Sequence, residues 1–164
     1  MSWRVRKRIE KGHREFERHN YGKALAQYQR VIDAGHFDAN VYFNAGVVLQ
    51  AMVRYAEAED LYAAMYDMPE HQALAHLYCG NSFHERSMYT EAILHYTRAI
   101  DTGNKMSGAL MGRAKCNVAL GRIELAMSDV ERLQNGEIGA RIIAKELLEI
   151  IDGRAPNSVY RGMT

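Results

Sequence analysis

The chain is poor in nearly everything that marks a membrane span, a disulfide framework or a charged-partner surface. No apolar run in its 164 residues approaches the roughly 20 needed to cross a bilayer. The basic start is not followed by the apolar stretch of a signal peptide. Cysteine is scarce: Cys79 and Cys116 stand among apolar and small residues and read as two buried, reduced thiols. Proline is limited to Pro69 and Pro156, which leaves long stretches free to be helical. Charge of one sign is lacking as well. Lys+Arg 21 against Asp+Glu 20 gives a net charge of +1, so no global field favours nucleic acid or an acidic partner. A cytoplasmic, reducing location is the expectation.

The patterns of catalysis and metal binding are missing too. Seven histidines include no His-Glu-x-x-His pair and no Cys/His ligand spacing. His71 and His76 are five residues apart, and His84 and Glu85 are adjacent, so the latter two leave a helix in different directions. The carboxylates are scattered, and no glycine loop of the phosphate-cradling kind is present. No enzyme, metal or cofactor is therefore expected.

What the chain does have is a period. Tyr21, Tyr55 and Tyr89 recur every 34 residues, and Ala24, Ala58, Ala92 and Ala126 keep the same step. Tyr28, Tyr62 and Tyr96 follow it, with Val130 in the fourth slot, and so do Gly12, Gly46, Gly80 and Ala114. A repeat of this length over most of a chain signals stacked helical hairpins. In the second unit, Tyr42, Ala45, Gly46 and Leu49 form one i, i+3, i+4, i+7 stripe, predicting a helix from about 39 to 52. Ala58, Leu61, Tyr62 and Met65 form another, predicting a helix from about 56 to 68. A glycine in mid-helix costs about 1 kcal/mol relative to alanine, so close helix approach should offset it, with the periodic alanines as its counterpart.

The array is expected to fill residues 1–134, as units of about 5–38, 39–72, 73–106 and 107–134. Asn135-Gly136 breaks the chain, and a helix rich in Ile and Leu follows from about Ile138 to Ile151, ended by Gly153 and Pro156. Residues 135–153 thus read as a capping helix over the fourth unit, and 154–164 as a flexible tail.

The segments NYGKALAQYQRVI, RYAEAEDLYAAMY and MYTEAILHYTRAI resemble the second-helix motif of the tetratricopeptide repeat family, and VYFNAGVVLQAM and AHLYCGNSFHER its first-helix motif. The fourth unit departs, with Ile123 and Val130 where aromatics are usual. The resemblance implies an all-α fold, a right-handed superhelix (solenoid) whose first helices line a concave groove. It also implies a non-catalytic scaffold that binds another protein.

On the positions that usually face that groove, the first unit offers Ile9, His13 and Phe16, with Glu10 and Glu17 beside them. The second offers Asn40, Phe43, Asn44, Val47 and Gln50, and the third Leu74, Leu77, Tyr78, Asn81 and His84, with Glu85. The fourth offers Met111, Lys115 and Val118. Apolar groups mixed with amides suit a peptide or apolar helix whose backbone also needs hydrogen bonds. Phe43 and Leu77 have a plainer alternative, packing between neighbouring repeats.

In the relatives that clamp a chaperone's C-terminal carboxylate, cationic side chains hold most of the clamp. Here Asn44 matches one position, but Ile9, His13, Leu74 and Tyr78 hold the others, which argues against that use. The order GHFDANVYFNAGVVLQAMVRY resembles the central repeat of class II type III secretion chaperones, which makes a chaperone for apolar cargo the sharper alternative. Self-association through the array ends is a further one. The cluster from Trp3 to Arg8 reads as a solvated first helix, with contact to a phosphate surface as the other option.

Overall fold

The computed structural model describes residues 2–103 and 107–154. Among these residues the chain forms nine helices and no strand. Four hairpins follow one another: α1 (Trp3–Glu17) with α2 (Tyr21–Ile32), α3 (Ala39–Ala51) with α4 (Tyr55–Ala63), α5 (Pro69–Glu85) with α6 (Tyr89–Thr102), and α7 (Ser107–Ala119) with α8 (Ile123–Gln134). A ninth helix, α9 (Ile138–Arg154), closes the described chain. Each second helix packs on its own first helix and on the helix that follows it, which for α8 is α9. The first helices also touch one another, α3 on α5 and α5 on α7, whereas successive second helices make no comparable contact. The stack therefore curves with its first helices inside, an all-α superhelical solenoid.

The turn inside each hairpin is the same object built four times. His19, Val53, Ser87 and Gly121, again 34 residues apart, all take the left-handed conformation, with φ of 57°, 62°, 59° and 72°. In the second unit the Val53 N–H donates to the Gln50 carbonyl and the Arg54 N–H to the Leu49 carbonyl, both at 2.9 Å. The same two bonds recur in the other three turns. These paired bonds satisfy the last carbonyls of the first helix. They hold non-glycine residues in a conformation that costs roughly 1–2 kcal/mol. Only Gly121 escapes that cost.

The glycines do mark close approach, but the group that approaches is not alanine. A methyl placed on Gly46 would lie 2.4 Å from the Tyr62 ring, on Gly80 2.6 Å from Tyr96, and on Gly12 2.6 Å from Tyr28. The counterpart of each glycine is thus the tyrosine four residues after the periodic alanine. Those alanines are fully buried and let the helix axes come together. In the fourth hairpin the tyrosine slot holds the smaller Val130, and Ala114 keeps its methyl group. Tyr96 is also pressed from the next hairpin, where a methyl on Gly112 would lie 2.4 Å away.

Three expectations need correction. Helix α4 ends at Ala63 rather than near 68. Beyond it the Met65 and Tyr66 N–H groups donate to carbonyls three residues back, and Pro69 drives Met68 into an extended conformation. Pro69 then opens α5 at its first turn, where its missing N–H costs nothing, so that helix starts four residues before the expected boundary at 73. Gly153 does not end the last helix, which continues through Arg154. The tail expected beyond it, residues 155–164, lies outside the described residues, as do residues 104–106 at the third unit boundary.

The final helix covers the last hairpin with one face. Ala144, Leu147 and Ile151 are buried in a cluster with Leu110, Val118, Val130 and Leu133. Its opposite face leaves Ile138 and Ile142 exposed.

Candidate functional site

The inner wall is made by α1, α3, α5 and α7, and the candidate residues fall on it with unequal freedom. Across α1 and α3, Asn44 Nδ2 lies 3.2 Å from His13 Nε2, an exposed pair linking two units. Ile9 and Phe16 are half-buried against the first core cluster. Asn40 is exposed at the start of α3, and Val47 is half-buried on it.

The centre of the wall is aromatic. Phe43 meets Tyr78 edge-on at 4.8 Å between ring centroids, and both rings lie near Tyr62, at 6.2 and 5.8 Å. Tyr62 is fully buried, while Phe43 and Tyr78 remain half-exposed. Leu74 is 37% exposed, and Leu77 packs half-buried toward the α7 side of α5. Phe43 and Leu77 therefore do both jobs, bracing adjacent units and leaving part of their surface on the wall.

Two amides expected to face a partner are already engaged. Gln50 Nε2 donates to the Tyr78 carbonyl at 3.0 Å and to Ser82 Oγ at 2.6 Å, and its Oε1 accepts from the Tyr62 hydroxyl at 2.9 Å. Asn81 Oδ1 accepts from the Tyr96 hydroxyl at 2.9 Å. A buried hydroxyl left unpaired is costly, and Tyr62 and Tyr96 each find such an acceptor on the neighbouring helix. The first hairpin has Phe16 where Gln50 stands, and the Tyr28 hydroxyl has no partner there. Burial, with Glu17 adding to it, pushes the Tyr28 hydroxyl up to about 12.

In α7, Met111 and Lys115 are half-buried on the wall, but Val118 is not available. It is 5% exposed and belongs to the core cluster that α9 completes, so the closing helix has covered its flank of α7. His84 is half-buried, with its Nδ1 3.8 Å from Glu85 and its ring 5.8 Å from Tyr89.

Sequence reasoning missed two polar clusters away from the wall. His76, 4% exposed, stacks on Tyr66 at 4.1 Å, and its Nδ1 lies 3.3 Å from His95 Nδ1. The Tyr66 hydroxyl donates to Cys79 Sγ at 2.9 Å, and Phe83 stacks on His95. Burial, with His95 and Arg98 adding to it, pushes His76 down to about 4, and burial with Arg98 lowers His95 too. Burial raises the Cys79 thiol to about 12, which keeps it protonated and unreactive. The second cluster joins Arg113 on α7 to Asp129 on α8 through two bonds of 2.9 and 2.7 Å, with Thr97 on α6 accepting at 3.0 Å. Asp129 is 2% exposed. The slot at 27, 61, 95 and 129 holds Gln, Leu, His and Asp, so a period search has no constant residue there to follow.

Comparison with known proteins agrees with this geometry. A family model described as Tetratricopeptide repeat matches residues 9–73. Over those residues the chain is similar to the tetratricopeptide repeat family. The tyrosine–glycine contact and the left-handed turn carry the repeat past the matched segment, to Tyr96 and Gly121. Among solved structures, one from a functional characterization of Pseudomonas aeruginosa PilF is similar, with a TM-score of 0.64 at 18% identity. The alignment covers 89% of this chain and 66% of the PilF chain. Another, described as MamA MSR-1 C2, has a TM-score of 0.64 at 15% identity, covering 94% of this chain and 100% of that one. At such identities the likeness is one of fold. No curated protein matches the chain. Among the described residues, no helix is long and apolar enough to cross a membrane.

Proposed function

We propose that the inner wall holds a segment of another protein, an extended peptide or an apolar helix, and that the chain works as a binding scaffold. The tetratricopeptide fold supports protein binding in general, and proteins of this family generally act without chemistry of their own. The observation that carries the narrower reading is the half-exposed row formed by Phe43, Tyr78, Leu74 and Leu77 on touching first helices. Aromatic and aliphatic side chains held by their neighbours lose little entropy when a partner covers them. The exposed His13–Asn44 pair beside them offers hydrogen bonds to a partner backbone.

Selection of displayed peptides on the purified protein tests this. Peptides selected on the native chain should lose at least about tenfold in affinity on a Val47→Glu, Leu74→Glu variant. They should keep it on Leu94→Glu, whose side chain is 51% exposed on an outer helix. Equal loss on both variants, or loss on Leu94→Glu alone, places the binding elsewhere and ends the groove reading. Selected peptides that are uniformly apolar would favour a chaperone for apolar cargo within the same site.

A further inference from the structure

We propose that the outer face of α1 is a docking surface for an anionic lipid bilayer. The near-neutral total charge hides a segregation: residues 1–36 hold nine Lys or Arg against four Asp or Glu, and residues 37–164 hold 12 against 16. Most of that excess lies on one helix. Val5 and Gly12 of α1 are buried, and Ile9 and Phe16 are half-buried against the core. The face turned away from them carries Trp3, Lys7, Lys11 and Arg14 at helical spacing, with Arg4 and Arg8 in the next row. All six are exposed, and none takes part in an ion pair among the described residues. Of the helix's carboxylates, Glu15 is bound by Asn20, and Glu10 and Glu17 lie along one margin of the strip.

The chemistry of this face fits lipid headgroups. Trp3, Arg4, Lys7, Arg8, Lys11 and Gln27 line a shallow hollow of about 240 Å³, with cations on most of its wall. Trp3 is 69% exposed and stands beside Lys7, whose Nζ is 5.0 Å from the ring centroid. An indole is favoured at the boundary between headgroups and acyl chains, while long cationic stems reach up to the phosphates. Because α2 already covers the apolar stripe of α1, the helix cannot sink into the bilayer on its own apolar face. Attachment is therefore peripheral, electrostatic and sensitive to salt.

Trp3 is the chain's single tryptophan, so its emission reports on this face alone. The test titrates the whole protein with phosphatidylcholine vesicles containing about 30 mol% phosphatidylserine at roughly 0.1 M salt. Trp3 emission should shift to the blue, the protein should sediment with the vesicles, and about 1 M salt should reverse both. Pure phosphatidylcholine vesicles should produce neither effect. Lys7→Ala with Lys11→Ala should weaken vesicle binding roughly thirtyfold, about fivefold per cation removed, with unchanged far-UV circular dichroism. Equal binding to neutral vesicles, no binding to either kind, or an unaffected double variant overturns the proposal. Binding to duplex DNA without binding to the vesicles overturns it in favour of a nucleic-acid surface. None of these outcomes bears on the inner wall.

Discussion

The tyrosine–glycine contact predicts a specific coupling that the chain has already tested on itself. In the second hairpin a methyl on Gly46 would meet Tyr62 at 2.4, 2.7 and 3.0 Å, where ordinary contact is 3.4–4 Å, so the ring must retreat by about 1 Å. Tyr62 is fully exposure-free, and its hydroxyl is tied to Gln50. Overpacking of this kind costs about 1–3 kcal/mol, and weakening the hydroxyl bond adds about 1 kcal/mol. Alanine in place of glycine returns about 1 kcal/mol of helix propensity. Gly46→Ala should therefore destabilise by about 2 kcal/mol. Tyr62→Val alone opens a cavity against Gly46 and should cost about 3 kcal/mol. Together the two substitutions recreate the Ala114–Val130 pair of the fourth hairpin, and the new methyl occupies part of the vacated volume. The double variant should be more stable than the sum of the single effects by at least about 1 kcal/mol. Urea unfolding followed by far-UV circular dichroism reads all four corners of the cycle. A Gly46→Ala protein as stable as the parent, or strictly additive effects, would refute the packing argument.

Three further outcomes are expected elsewhere in the molecule. Val53 is 68% exposed in the left-handed turn position that Gly121 holds in the fourth hairpin, so Val53→Gly should stabilise by about 1 kcal/mol and Gly121→Val destabilise by at least that much, both measured as shifts in urea midpoint. Arg113→Met strands the Asp129 carboxylate at 2% exposure and should cost about 3–5 kcal/mol, whereas replacing both residues by apolar ones of similar size should cost much less. His76 is held down to about 4 in the folded chain, so unfolding takes up a proton below the ordinary histidine range; stability is intact above about pH 6.5 and falls as pH drops toward 4, by about 2 kcal/mol at pH 5. A His76→Phe variant that keeps the same slope between pH 7 and 5 would remove His76 as its source.

The fold was legible because its packing needs small or aromatic groups at fixed intervals, and side-chain size is written directly in the residue type. The left-handed turn was written there too, since 19, 53, 87 and 121 keep the period. It is hidden because His, Val, Ser and Gly share no chemistry; the shared feature is a backbone angle imposed by two carbonyl bonds. The hydrophobic stripe over 56–68 overran the true end of α4 because a stripe reports burial, and Met65 is buried in a turn as completely as in a helix. Pro69 was the better boundary marker, through its effect on the residue before it.

The inner wall shows where pattern reading stops for a physical reason. Position along a first helix says which side chains face inward, but not which of them the protein uses for itself. Gln50 spends both ends of its amide on Tyr62, Tyr78 and Ser82, and Asn81 gives its oxygen to Tyr96. Both commitments arise because Tyr62 and Tyr96, not alanines, fill the space over Gly46 and Gly80 and bring hydroxyls that gain from an acceptor. The same aromatic that allows the helices to close therefore removes an amide from the wall. On the proposed reading, the wall would offer a partner the apolar row, the His13–Asn44 pair, and the Asn40 and Lys115 side chains. A ligand matched to that remainder needs apolar side chains at the centre and an acceptor near Lys115, and a string of carboxylates would find only one lysine to meet it.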